Sequence, residues 1–482
     1  MREAAPPPRR KRFAVSAPAF KRCAKRLAAA LGALLALAAP VQAQQRQPSV
    51  IRDAEIEETL RIYTEPLLRA AGLDPADVQL HLVGDTSINA FVAGGQRIFV
   101  HSGLIMRARA PNEIIGVLAH ETGHISGGHL ARSSEAMSVA MRPALIALGL
   151  GVLAIAAGAP DAGAALISGM GQFAQGSFVR HTQVQESAAD QAGAQFLEQT
   201  GQSGEGLISF FNREFRPHEY AVRRVPAYMV THPFTSDRIE SLRARVENAE
   251  HFSAVDTPDN LRRFQFMQAK LVGFIEPLSR TLQVYPATDR SQPARYARAI
   301  AYCGCGIASR IPDLTRARAE IDSLIAEDPA NPWFQELAGQ ILFENGRAAE
   351  SIAFHRRSLE LRPREPLLEV NLARALIAAN GRAGADEAVP ILQSALQREP
   401  NNAFAWRELA TAHDMRGEAG LARLASAEQA YAIGDLGRAR NFAERARREL
   451  EQGTASWQRA SDIVASAQNS LPEENGRRNP RG

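Results

Sequence analysis

The C-terminal half of the chain repeats with a helical period, and few architectures accommodate that. Pro329, Pro363 and Pro400 recur at intervals of 34 and 37 residues, Trp333, Leu367 and Phe404 recur at the same two intervals, and so do Gly339, Ala373 and Ala410. A bulky residue, a small residue where two helices cross and a Pro after the second helix describe a two-helix unit. Such a unit cannot bury its apolar face alone and must stack on its neighbours. The spacing predicts a helical solenoid over 256–467, with degenerate helices over 295–328 and 421–467 flanking the clear units. The three extra residues of the longer interval are expected in a loop near Gly384–Glu387. Residues 468–482, with Asn, Pro, Gly and Arg, read as a disordered tail.

The preceding half has a different texture. Ile56, Leu60, Tyr63, Leu67 and Leu68 recur at helical spacing, with Pro66 expected to kink or divide that helix. Val78–Val83 alternates, and Phe91-Val92 and Arg97–His101 flank Gly94-Gly95, the pattern of a hairpin. Pro111-Asn112-Glu113 opens an apolar helix that runs into His120. Residues 143–160 contain no charge and run from Pro to Pro. A buried or lid helix is the expectation there, with a membrane-dipping hairpin as the alternative. Helical patterning resumes over 181–198, and a Thr231-His232-Pro233-Phe234 turn leads into a charged helix ending near 246.

The net charge of +4 and pI of 9.1 invite a nucleic-acid reading. The location of the charge argues against it. Residues 1–43 hold nine of the 56 basic residues and one of the 52 acidic ones, so the remainder carries about −4. Clustered positive charge, which phosphate binding needs, is then missing. A basic start, the uncharged stretch Leu27–Pro40 and the small-residue ending Val41-Gln42-Ala43 follow the grammar of a cleavable export signal. An exported protein, periplasmic in a bacterium, is expected, with no nucleic-acid partner.

His120-Glu121-Thr122-Gly123-His124 carries the chemistry. Residues i and i+4 share a helix face, so two imidazoles can reach one metal while the adjacent Glu121 acts on a water. Zinc suits this set, because three protein ligands leave a position open. A third His six residues after the second would complete a three-histidine set, but Leu130 stands there. His129 is one residue out of register and reads as a loop or helix-end histidine. The better third ligand is Glu186, with Asp190 one turn on and placed to hydrogen-bond a ligand imidazole. Read alone, Glu186 and Asp190 could equally be a solvated acidic pair.

Asn89-Ala90-Phe91, Ser102-Gly103-Leu104, His120–His124, Glu186–Asp190, and His232-Pro233 with Arg238 occur in an order that resembles the secreted, repeat-bearing branch of the HtpX and CAAX-protease-like zinc peptidases. The resemblance implies a mainly α fold: a helical zincin-type metallopeptidase domain with a small β-hairpin or sheet over 44–255, then a tetratricopeptide-like α-solenoid. It implies His120, His124 and Glu186 as ligands of one zinc ion, Glu121 as general base and Asp190 behind the first histidine. Phe91–His101 corresponds to an edge strand for substrate. His232 matches a latch that can occupy the water position, although an oxyanion-stabilising or purely structural role fits the residue equally on physical grounds. Arg238 reads as a salt-bridged helix residue, with a catalytic part as the alternative. The implied role is quality control of misassembled outer-membrane proteins, with the repeats aiding assembly and docking the outer-membrane β-barrel assembly machinery. The competing class is a non-catalytic chaperone or adaptor, against which Glu121 argues, since a structural zinc site needs no such acid.

Of the three cysteines, Cys303 and Cys305 follow the export signal. At i and i+2 of a helix they would point apart, favouring buried thiols over a bridge. Trp333 and Trp406 read as packing residues within their repeats.

Overall fold

The computed structural model describes residues 50–131, 182–214, 228, 232, 236–306 and 312–470. The export segment, the uncharged stretch 143–160 and the end of the tail lie outside them. Strand β1 (Val50–Ile51) leads to α1 (Ala54–Ala70), a short 3-10 turn and then β2 (Gln79–Val83), β3 (Ala90–Ala93) and β4 (Arg97–His101). Helices α2 (Ser102–Arg107) and α3 (Pro111–Ser126) follow, then α4 over 182–199, α5 (Glu205–Glu214) and α6 (Ser236–Glu247).

Asp53 caps α1, accepting from the Ile56 amide, and Glu55 and Glu57 face its positive end. The helix runs through Pro66 undivided. Pro66 is exposed, while Tyr63, Leu67 and Leu68 around it are held in the core. The sheet order is β1-β2-β4-β3, with β2 and β4 parallel and the outer pairs antiparallel. The expected hairpin joins β3 to β4, where Gly94 and Gly95 both take positive φ. Phe99 stacks between His81 and Phe91 across three strands, leaving Leu82, Ile98 and Val100 to the core face. β3 therefore ends the described sheet as its edge.

Helix α7 (Pro258–Ile275), capped by Thr257, belongs to two cores. Its Phe264, Met267 and Leu271 pack with α1, α3 and the sheet, while Phe266 and Ala269 pack with the helices beyond. Those are α8 (Leu278–Val284), α9 (Gln292–Cys303), α10 (Leu314–Glu327), α11 (Pro332–Glu344), α12 (Ala348–Leu361), α13 (Pro366–Arg398), α14 (Ala403–Arg416), α15 (Ala419–Ala432), α16 (Leu436–Glu449) and α17 (Ala455–Ser470). From α9 each helix packs on the next, a solenoid-like stack. Pro329, Pro363 and Pro400 lie in turns between helices, as the period requires. A Cβ on Gly339 would sit 2.7 Å from the His355 ring, so α11 and α12 cross where a small residue was expected.

Besides the undivided helix at Pro66, two details differ from expectation. Gly384–Glu387 is helical; the turn inside α13 is confined to Gly381, and longer helices absorb the extra residues. Cys303 and Cys305 are bridged. Gly304 takes a left-handed φ of 71° that ends α9, so Cys305 leaves the helix and its sulfur turns back to Cys303.

Candidate metal centre

Helix α3 threads the core: Ile114, Ile115, Val117 and Leu118 are at most 1% exposed, and the pair His120 and His124 emerges on its later turns. Helix α4 crosses it at backbone contact. A Cβ on Gly123 would lie 2.7 Å from the Ala189 carbonyl oxygen, and one on Gly193 3.0 Å from the carbonyl carbon of Ala119. That approach sets Glu186 and Asp190 against the two histidines.

His120 Nε2 and His124 Nε2 are 3.0 Å apart, and Glu186 reaches both, at 3.5 Å and 3.4 Å. His232 joins them, its Nδ1 3.3 Å from His120 Nε2 and 3.1 Å from Glu186 Oε2. One donor atom from each of these four residues lies within 4.8 Å of every other. Zinc–nitrogen bonds of about 2.0–2.1 Å in a tetrahedron place donors roughly 3.3 Å apart. The observed spacings bracket that value, and imidazole with carboxylate is a zinc donor set, so the residues fit the ion.

Asp190 accepts from His120 Nδ1 at 2.9 Å, which leaves Nε2 as the lone-pair nitrogen. Arg238 clamps Asp190 through Nε at 2.8 Å and Nη2 at 3.0 Å, and reaches Glu186 through Nη1 at 3.1 Å. It is a salt-bridged helix residue, buried against both carboxylates. Burial alone would raise the Glu186 carboxyl, but hydrogen bonds from His120 and His232 hold it below the usual carboxylate range. Burial likewise opposes a charge on His120, yet Asp190 and Glu186 outweigh it and raise the imidazole, so that without a cation Nε2 would carry a proton in the place a metal would take. The cluster's electrostatics therefore favour a cation among these donors.

Glu121 is fully buried, with no side-chain hydrogen-bond partner among the described residues; the Val92 backbone amide on β3 is a donor near enough to favour its charge. His232 Nε2 approaches Oε1 only to 3.4 Å. Burial pushes the carboxyl up, with His232 and His120 opposing. An acid so placed is available to take a proton.

His129 was not expected here. Its Nδ1 lies 3.0 Å from His124 Nδ1, so it orients the second imidazole as Asp190 orients the first. Gln185, beside Glu186 on α4, donates to its carbonyl at 3.3 Å. A Cβ on Gly127 would collide with the ring at 2.4 Å, so only glycine lets the chain fold His129 back beneath His124. The signal was present as a Gly-Gly pair directly before a histidine, but register counting looked for a ligand rather than for a residue supporting one.

Residues 54–246 match the model of peptidase family M48. The chain is 28% identical over 344 residues to the beta-barrel assembly-enhancing protease of Yersinia pestis, spanning 70% of this chain and 68% of that one. It is 25% identical over 396 residues to the putative beta-barrel assembly-enhancing protease of Vibrio cholerae, spanning 82% and 78%. It is 26% identical over 178 residues to metalloprotease LoiP of Escherichia coli, spanning 36% and 63%. The resemblance is to M48 zinc metallopeptidases at the level of the family. That match and the cluster of His120, His124, Glu186 and His232 together support a zinc-dependent metalloendopeptidase active site.

Proposed function

We propose that this chain is an exported, periplasmic zinc endopeptidase of outer-membrane protein quality control. It cleaves misassembled β-barrel proteins and aids their assembly through its tetratricopeptide-like repeats, which dock the assembly machinery. The carrying observation is the convergence of His120, His124 and Glu186 beside a fully buried Glu121 that is not itself among the converging donors. The client class is taken from the names of the relatives and rests on likeness alone. A division near residue 256 into peptidase and repeat parts belongs to the same reading.

Zinc bound by His120, His124 and Glu186 would polarise the scissile carbonyl and acidify water. Glu121 takes the proton from the attacking water and delivers it to the leaving amine. Asp190 and His129 keep the two imidazoles aligned, and Arg238 neutralises the carboxylates behind them. The open edge of β3 supplies backbone pairing for an extended substrate.

His232 acts as the latch. Its Nδ1 makes a fourth protein donor, which leaves no open position of the kind a catalytic zinc site keeps. Its Nε2 lies 3.3 Å from the Ala90 carbonyl at the start of β3. Asn89 O accepts from His101 on β4, so by strand alternation Ala90 O faces the free edge, where substrate would pair. One imidazole thus blocks both the metal and the strand. His232→Ala should raise cleavage of an unfolded outer-membrane client, and a rise of about tenfold would mean that roughly a tenth of the wild type is open. A fall in cleavage instead assigns His232 to oxyanion stabilisation or packing.

The four-donor arrangement also favours a second reading, a non-catalytic adaptor with a structural zinc. Loss of all cleavage on mutating Glu121 separates the two. For His129, alanine should weaken zinc binding about 10- to 100-fold, measured by chelator competition, with glutamine restoring part of it. Unchanged affinity would remove His129 from the site.

A further inference from the structure

We infer that the Cys303–Cys305 bridge is a thiol–disulfide exchange site; its substrate class, unfolded polypeptides that carry two thiols, rests on the proposed function, which brings such chains to this protein. A disulfide stabilises chiefly by closing a loop, and the effect shrinks with the loop. Only Gly304 lies between these cysteines. Both ends of α9 are already fixed by packing: Tyr296, Ala299, Ile300 and Cys303 itself are buried in the second core with Phe334 and Leu337. The bridge therefore adds little as a staple, and what it offers is an electron pair that can be exchanged.

The two sulfurs are not equivalent. Cys303 is 2% exposed and belongs to the core, whereas Cys305 is half-buried beyond the end of α9, released by the left-handed Gly304. An incoming thiolate therefore meets Cys305. The buried sulfur has a donor at hand: Asn345, which caps α11, places Nδ2 3.6 Å from Cys303 Sγ. The same amide is fixed by the carbonyls of Ile341 at 2.9 Å and Cys303 at 3.3 Å. A hydrogen bond to the departing thiolate favours Cys303 as the leaving group.

The exchange balances without a further reagent. A polypeptide thiolate attacks Cys305 Sγ, the Cys303–Cys305 bond breaks, and Cys303 leaves with the electron pair and takes up a proton. The second polypeptide thiolate then attacks the polypeptide sulfur of the mixed disulfide and releases Cys305. The polypeptide, oxidised by two electrons, carries the disulfide, and the protein carries two thiols.

The test uses the full chain, zinc-loaded and carrying Glu121→Gln, so that the probe is not cut. The probe is a reduced, unstructured synthetic peptide with two cysteines. Thiol alkylation and mass spectrometry should show one bridge before mixing, then protein thiols appearing as the peptide gains its disulfide. The rate should exceed that with the same concentration of oxidised glutathione at least tenfold. Adding Cys303→Ser should trap the mixed disulfide on Cys305 after incubation with an oxidised peptide, and Cys305→Ser should trap at least tenfold less. Two free thiols in air-oxidised protein, or peptide oxidation no faster than with glutathione, overturns the proposal. The rate comparison needs no cysteine variant, so a folding defect in either serine mutant does not blunt it.

Discussion

Glu121→Gln leaves zinc at its wild-type stoichiometry and lowers kcat for an unfolded outer-membrane client by about 10²- to 10⁴-fold, the usual contribution of a positioned general base. The substitution keeps the side-chain volume and removes only the ability to take a proton. Metal binding should survive, because Glu121 is not among the four converging donors. Folding should survive too, because desolvation already works against the wild-type charge and the glutamine oxygen can still accept from the Val92 amide. KM should change little, since the lost interaction is made in the transition state. The measurement pairs a zinc assay with single-turnover cleavage. Equal cleavage by wild type and variant would sink the peptidase reading, and loss of zinc together with activity would place Glu121 among the ligands instead.

How legible this site was depended on sequence distance. His120 and His124 lie one turn apart on one helix with Glu121 beside the first, so their spacing alone makes them legible; the same i, i+4 rule puts Glu186 and Asp190 on one face of α4, but only the upstream motif tells them from a solvated pair. His232 and Arg238 came only from a resemblance, because no local pattern tells a turn histidine that it will meet Glu186, 46 positions earlier. The crossing of α3 and α4 was hidden for a related reason. Gly123 reads as a weak helix former until Ala189 is seen against it. The solenoid was legible through repetition. Gly304 misleads in the sequence: continued as helix it makes the two cysteines diverge, whereas in the left-handed conformation it reverses the chain and joins them.

The joint between the peptidase core and the solenoid was illegible from sequence, and it carries the largest expected stability effect. Lys270 on α7 is completely buried, with Nζ 2.8 Å from Asp53, 3.2 Å from Glu55 and 3.3 Å from Glu336. Tyr296 on α9 donates to Glu55 at 2.9 Å and Asn371 on α13 to Glu336 at 3.3 Å, so one cation ties α1 to the first repeats. Burial opposes its charge, but Asp53, Glu336 and Glu55 together raise the ammonium well above its ordinary value. Burial drives Glu336 the other way for an acid, up to about 7 even with Lys270 beside it. Lys270→Met keeps the chain length and leaves the carboxylates facing one another, so about 3–5 kcal/mol should be lost at pH 8. The sign of the pH dependence follows from the acids. Without the cation the folded-state pKa values of Glu55 and Glu336, already raised by burial, rise further above those of the unfolded chain, so the loss grows as pH increases through that range and fades as pH falls towards the ordinary carboxylate range. Urea midpoints from pH 5 to 8 measure it. Adding Glu55→Gln and Glu336→Gln to Lys270→Met should recover most of the loss, since removing the whole network avoids stranded charge; Asp53 is best left, because it caps α1 and is partly exposed. A deficit that ignores pH, or that the added glutamines deepen, would mean that Lys270 contributes by packing its methylenes rather than by neutralising the acids around it.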